Sequence, residues 1–169
     1  MLTIGHSTHP IDEFIRILRA HGVETVADVR TVPRSRHNPQ FNRDVLPGLL
    51  GPADIAYAHL PALGGLRHPR RDSIHTGWRN LNFRGYADHM QTPEFRAALE
   101  ELIELSRTRR VAVMCSEAVP WRCHRSLIGD ALVVRGIPVE HIMSESARKI
   151  HQLTPFAKVD GDKITYTLP

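Results

Sequence analysis

The stretch Val111–Arg125, VAVMCSEAVPWRCHR, decides how this chain is read. Val111–Met114 is a short apolar run of the length and composition of a buried strand. A polar turn follows and holds both cysteines of the protein, Cys115 and Cys123. From Pro120 a helical pattern runs to Arg135, with proline tolerated in a first turn because its missing N–H would be unpaired there. The unit is strand, loop, helix. In a parallel α/β sheet, ligands bind where strand carboxyl ends meet the amino ends of the following helices. Free N–H groups and the helix dipole favour negative charge at that edge and lower a cysteine pKa. Cys123, His124 and Arg125 are expected in that first turn.

Working outward, the same alternation repeats. Leu2–Gly5 reads as a strand, ended by the polar turn Gly5-His6-Ser7-Thr8-His9. Pro10 to His21 carries Ile11, Phe14, Ile15 and Leu18 at helical spacing and is closed by Gly22. Val23–Val29 is a second strand, and Arg30–Asn42 a loop of thirteen residues with three arginines and three side-chain amides. A loop this long in a compact domain is often functional. Arg43–Leu50 is expected to form a short helix and Ile55–Leu60 a third strand. The polar segment Pro61–Asn82 is long enough to act as a lid. Helices are expected over Phe83–Met90 and over Pro93–Arg107, the latter capped by Thr92 with Phe95, Leu99, Leu102 and Ile103 inward. Val139–Met143 gives a fifth strand and Ser146–His151 a helical turn. Phe156–Leu168, with Asp160-Gly161 between alternating residues, reads as a hairpin. Strand and helix in alternation predict one α/β domain over residues 1–169. Its three layers are a mostly parallel sheet of about five strands with helices on both faces, plus the C-terminal β-hairpin. Right-handed crossovers would bring His6, Arg30 and Cys115 to one rim.

Composition bounds the possibilities. At 169 residues, 41% apolar and 24% charged, the chain is long and apolar enough to bury a core. No apolar run nears the roughly 20 residues that span a bilayer. The immediate strand Leu2-Thr3-Ile4 is expected to leave no room for a signal peptide. Two cysteines do not make a disulfide scaffold, so reduced thiols and a cytoplasmic location are expected. The net charge of +4, before eleven histidines, is concentrated at Arg30, Arg34, Arg36 and Arg43 and again from Arg67 to Arg84. Local positive charge attracts an anionic small molecule or nucleic acid.

The motifs resemble a known family. Ile4-Gly5-His6-Ser7, Asp28-Val29-Arg30 with Pro33, Ser35 to Asn42, His59-Leu60-Pro61 with Leu63-Gly64-Gly65, Phe83-Arg84-Gly85-Tyr86-Ala87, and Met114-Cys115-Ser116-Glu117 with Cys123-His124-Arg125 are similar to domain of unknown function 488. The likeness runs from Leu2 to Met143. It implies a single α/β domain of bacterial or archaeal origin in the cytosol, and it names no reaction. A weaker likeness joins Asp28-Val29-Arg30 and the Cys115 strand–loop–helix to rhodanese and related phosphatase domains. Six residues separate Cys115 from Arg122 where the phosphatase pattern has five. The carboxylate of Glu117 repels an anion, and Val119 and Pro120 replace the small residues of an anion cradle.

Four chemistries fit these residues. In the first, an enzyme acts on a phosphate-bearing substrate, a nucleotide or nucleic acid. Arg30, Arg36 and Arg125 hold phosphate by forked hydrogen bonds, Asn38, Gln40 and Asn42 read a base or sugar, and Ser7, Arg84 and Tyr86 complete the binding set. Glu117 is its general acid or base, with His6 or His124 as partner. Alternatively Glu117 is a structural ion pair with Arg30 or Arg125. In the second, Cys115 or Cys123 is a nucleophile or sulfur carrier with His124 or His6 as base; the bland alternative for both thiols is core packing. In the third, Cys115, Cys123, His124 and a distant histidine bind metal, but Cys-x7-Cys-His matches no common zinc pattern, so neither metal nor cofactor is expected. In the fourth, a binding module without chemistry stacks bases on Trp78, Phe83 and Tyr86.

Overall fold

The computed structural model describes residues 1–168. Its centre is a six-stranded sheet in the order β3-β2-β4-β1-β5-β6, with β1 (Leu2–Gly5), β2 (Thr25–Asp28), β3 (Ala56–His59), β4 (Val111–Cys115), β5 (Glu140–Ile142) and β6 (Arg148–Ile150). The first five strands are parallel to their neighbours, and only β6 pairs antiparallel, on β5. β1, β2 and β4 are buried at every residue. Such strands carry apolar residues on both faces because helices cover both.

The two faces have separate cores. On one, α1 (Ile11–Ala20) and α2 (Leu46–Leu50) pack Phe14, Leu18, Leu46 and Leu50 on Leu2, Ile4, Val26 and Met114. On the other, α3 (Leu81–His89), α4 (Pro93–Thr108) and α5 (Arg125–Val133) pack Tyr86, Phe95, Leu99 and Leu127 on Ala27, Val111, Val113 and Cys115. Alternate residues of β4 therefore feed opposite cores, as the period of a strand dictates. The three layers are those read from the sequence. Thr92 caps α4 as its sequence position predicts, its hydroxyl accepting from Phe95 N–H at 3.2 Å. The C-terminal hairpin, β7 (Ala157–Asp160) and β8 (Lys163–Tyr166), places Ile164 and Tyr166 in the α3/α4/α5 core.

Two local expectations are corrected. The sixth strand replaces the helical turn expected over Ser146–His151. A turn closed by Met143 N–H on Ala147 O at 2.9 Å folds the chain back, and Arg148 then meets Glu140 at 3.0 Å across the new pair. The pattern from Pro120 is not one helix. Pro120–Arg122 is a single 3-10 turn, Cys123 is extended (φ −130°, ψ 149°), and α5 starts at Arg125. The break aims the Cys123 thiol back at the first turn of α5, where its sulfur accepts from Arg125 N–H at 3.4 Å as a capping oxygen would. The segment from Pro61 contacts α3: Tyr86 Oη donates to Leu63 O at 2.7 Å, and Asp88 accepts from Arg70 N–H and Ser73 Oγ, both at 2.8 Å. Among the described residues no helix is long and apolar enough to cross a membrane.

Beyond β1 and β4 the chain crosses itself at Gly5. A Cβ there would lie 1.8 Å from Glu117 O and 2.9 Å from Ala118 Cα, so only glycine lets the Cys115 loop pass over the end of β1. Gly5→Ala must push backbone rather than a side chain, and should lower the unfolding free energy by about 3 kcal/mol in urea titration. An unchanged midpoint would mean that the loop does not lie on β1.

Candidate functional site: a thiol pair under a cationic cleft

The loops after β1, β2 and β4 meet at one rim and enclose a cleft of about 610 Å³. Hydrogen bonds lock the rim: His6 N–H donates to Cys115 O at 2.8 Å and Ser7 N–H to Ser116 O at 3.0 Å. Ser7 and Leu66, both in the cleft wall, hold φ of 48° and 59° without being glycine. Such strain persists where the surroundings over-determine a conformation, and it concentrates at ligand sites.

The arginines divide into two kinds. Arg30 lines the cleft, but its donors are used within the protein. Its Nε donates to Asp28 Oδ1 at 2.9 Å, and its Nη2 to Asp28 Oδ2 at 2.8 Å and to Phe41 O at 2.6 Å. Tyr57 Oη closes a short bond to the same carboxylate. Arg125 is wholly buried and does not reach the cleft. The forked grip on phosphate expected of these two is therefore taken up by protein acceptors. The exposed guanidinium groups in the cleft wall belong to Arg34 and Arg122, which the sequence reading did not place in the site.

Other expected contacts redistribute in the same way. Ser7 and Asn38 line the cleft. Gln40 instead donates to His9 O at 2.9 Å, Asn42 accepts from Ser35 N–H at 2.7 Å, and Arg84 donates to Trp78 O at 2.8 Å, so these three hold loops. Arg36 is exposed outside the cleft wall. Tyr86 is core, and Trp78 packs edge-on against Phe83 and Phe156. Of the three aromatics considered for stacking, Phe83 alone is both in the cleft wall and partly open. Asn80 and Asn82 join that wall. Asn80 also caps α3, accepting from Asn82 N–H at 2.9 Å. An asparagine just before a helical pattern was the one signal that could have marked it.

Glu117 stands exposed in the wall, and among the described residues its carboxylate makes no ion pair and no hydrogen bond. The structural pair with Arg30 or Arg125 is thus absent; Arg125 Nη2 reaches the Glu117 backbone carbonyl instead, at 2.7 Å. His6 is engaged through both ring nitrogens. Its Nδ1 donates to Ser7 O at 2.8 Å and its Nε2 accepts from Arg30 Nη1 at 3.2 Å. Burial, reinforced by the charge of Arg30, holds its pKa down to about 4, so the ring is neutral.

The two thiols lie at the foot of the cleft, both buried, both reduced. Arg125 Nε donates to Cys115 Sγ at 2.9 Å. His124 Nε2 donates to Val29 O at 2.8 Å, which fixes the tautomer and leaves the Nδ1 lone pair 3.5 Å from Cys123 Sγ. Gly65 covers that ring closely: a Cβ would stand 3.0 Å from His124 Nδ1, so any side chain there would press on the imidazole. Burial pushes the Cys115 thiol well above the usual range. Burial acts on Cys123 in the same direction, but the Cys115 thiol as hydrogen-bond partner and the charge and N–H of Arg125 outweigh it and bring Cys123 to about 7. One proton of the pair leaves easily and the second is held. Among the described residues no three His, Cys, Asp or Glu side chains are grouped as a metal site requires.

A family model described as "Domain of unknown function DUF488" matches residues 10–132, most of the chain. The protein belongs to the DUF488 family. No match was found among curated proteins or among solved structures. The matched span contains the arginine loop, the thiol pair and His124, and leaves out the turn at His6 and Ser7.

The geometry fixes a pH profile. Native alkylation by iodoacetamide, read by mass spectrometry at each cysteine, should rise with pH at Cys123 with a midpoint near 7, while Cys115 stays unlabelled below pH 9. Two cysteines that remain inert until the protein unfolds would be core residues only.

Proposed function

We propose that this DUF488 protein is an enzyme that takes a small anion into its cleft and attacks it with the Cys123 thiolate. The observation that carries the reading is Arg125. It is a fully buried guanidinium with no carboxylate in contact among the described residues, and it donates Nε–H to Cys115 and its backbone N–H to Cys123. A buried cation needs an anion or strong acceptors; Thr3 Oγ1 and the Glu117 carbonyl accept from the guanidinium, and its field favours a thiolate at the neighbouring Cys123. His124 Nδ1 is placed to take the thiol proton. Arg34 and Arg122 face the cleft and attract the substrate's negative charge.

The simplest such reaction is transfer of sulfane sulfur; the rhodanese-like strand–loop–helix points to the strand-ending Cys115 as nucleophile, whereas the setting of the pair favours Cys123. The Cys123 thiolate forms a bond to the outer sulfur of thiosulfate. The sulfur–sulfur bond of thiosulfate breaks, sulfite leaves with the electron pair, and a cysteine persulfide remains. A nucleophile such as cyanide then takes the outer sulfur and returns the thiolate. Arg125 offsets negative charge in both steps without touching the substrate.

A second reading is favoured by Glu117, whose unpartnered carboxylate stands in the same wall as Arg34 and Arg122. It would serve as general acid or base on a phosphate-bearing substrate, a nucleotide or a nucleic acid held by the two arginines.

Thiocyanate formation from thiosulfate and cyanide tests the first reading. Cys123→Ser should abolish it, and Arg34→Gln with Arg122→Gln should raise KM for thiosulfate about tenfold through lost attraction, less at high salt. No thiocyanate at high enzyme concentration overturns sulfur transfer. Hydrolysis of a nucleotide or oligonucleotide that survives Cys123→Ser and is lost in Glu117→Gln would establish the second reading.

A further inference from the structure

A second buried charged group lies on the same helix as Arg125, out of its direct reach. Asp130 is five residues along α5, wholly buried like Arg125, and about 140° around the helix at 3.6 residues per turn. The two cannot meet directly. A continuous line of hydrogen bonds joins them through the far edge of the sheet. Arg125 Nη1 lies 2.9 Å from Thr3 Oγ1 on β1, and that hydroxyl is 2.6 Å from His141 Nδ1 on β5. His141 Nε2 is 2.9 Å from His151 Nδ1, and His151 Nε2 is 2.8 Å from Asp130 Oδ1.

With both imidazoles neutral, the ends set the direction of every proton between them. A guanidinium only donates and a carboxylate only accepts. Thr3 therefore accepts from Arg125 and gives its hydroxyl proton to His141 Nδ1. His141 is left to donate through Nε2 to His151 Nδ1, and His151 donates through Nε2 to Asp130. Gly129 makes room for the last step, since a Cβ there would sit 2.9 Å from the His151 ring. Asp130 is held by three further donors: Thr154 N–H at 3.1 Å, Thr154 Oγ1 at 2.7 Å and Tyr166 Oη at 2.8 Å.

We propose that Asp130 is a positioning residue for the thiol site, and that the chain through Thr3, His141 and His151 ties its charge to Arg125 and so sets how readily the thiol pair ionises. The inference rests on the reading of Cys115 and Cys123 as the reactive groups. While Asp130 offsets the guanidinium through the chain, less of the Arg125 field falls on the sulfurs. The other titratable groups facing the sulfurs are His124, just ahead of α5, and Tyr86 from α3. Those facing the histidines are Lys149 on β6, which acts on His141, and Arg125 itself.

Two measurements test it. In the unaltered protein, long-range ¹H–¹⁵N correlation spectra should show both His141 and His151 protonated at Nε2 and unprotonated at Nδ1 at neutral pH. An Nδ1–H form of either ring overturns the chain and leaves the enzyme reading standing. In variants, Asp130→Asn keeps shape and acceptor but removes charge, and should lower the Cys123 alkylation midpoint by about one pH unit. Thr3→Val cuts the chain and leaves Asp130 charged, so Asp130→Asn made on that background should move the midpoint clearly less. An unmoved midpoint in Asp130→Asn, or an equal shift on both backgrounds, overturns the proposal. Should Asp130→Asn not fold, the ring protonation decides. Thiols inert to iodoacetamide until unfolding overturn the enzyme reading and this inference with it.

Discussion

The buried guanidinium of Arg125 is the constraint on which the site depends. It is the largest fully buried side chain of the molecule, and it binds four parts of it together. Its donors reach Thr3 on β1, Cys115 at the end of β4 and the Glu117 carbonyl in the loop between β4 and α5, while its own backbone opens α5. β1 and β4 are adjacent and in register, Gly5 opposite Cys115. A cation at that junction fixes the loop across the strand ends and holds both sulfurs in one electrostatic setting. Leaving such a charge without acceptors costs several kcal/mol, so every contact around it is required at once.

Cationic groups with different tasks are separated by burial. Arg30 and Arg125 have surrendered their donors to the protein and act on the site through structure and field. Arg34 and Arg122 keep theirs toward the cleft. The division follows from what each loop offers. Arg30 emerges beside Asp28, a buried carboxylate with a matching fork, and forms a bidentate pair that also fixes the Phe41 carbonyl. Arg34 lies farther out on the same loop, where no carboxylate among the described residues pairs with it. A count of arginines in a segment thus says little about which of them a ligand would meet.

The polar residues of the second layer show the same economy. His6, His124, His141 and His151 each use both ring nitrogens, and their tautomers follow from fixed neighbours rather than from solvent. Burial keeps His6 and His141 neutral at ordinary pH. Neutral rings can pass hydrogen-bond direction between charges without adding a charge to the core. The hairpin at the C-terminus takes part through Tyr166, whose hydroxyl ends on Asp130, so an element that reads as an appendage contributes to the inner polar network.

The layered α/β architecture was legible in the chain, because alternating apolar strands and 3.6-period helices leave their mark in local order. Phe14 and Leu18 on α1, Thr92 at the start of α4 and the hairpin at Asp160-Gly161 all follow from short-range physics: burial of one face, a capping oxygen, a turn that needs positive φ. So did the rim that gathers His6, Arg30 and Cys115, since strand ends in such a sheet share an edge. The helix at Ser146 failed because a turn closed by Met143 N–H on Ala147 O pairs the segment with β5, and the long helix from Pro120 failed because the Cys123 sulfur caps the Arg125 N–H; specific hydrogen-bond partners outweigh helical propensity in both. The site's finer roles lay beyond the sequence because they rest on partners distant along the chain. Nothing local separates Arg125, which meets Thr3 across 122 residues, from Arg122, which faces the cleft. Nor does any spacing announce that His151 and Asp130 are joined through His141. Those assignments depend on which donors and acceptors remain unpaired once the sheet has formed, and only the tertiary structure decides that.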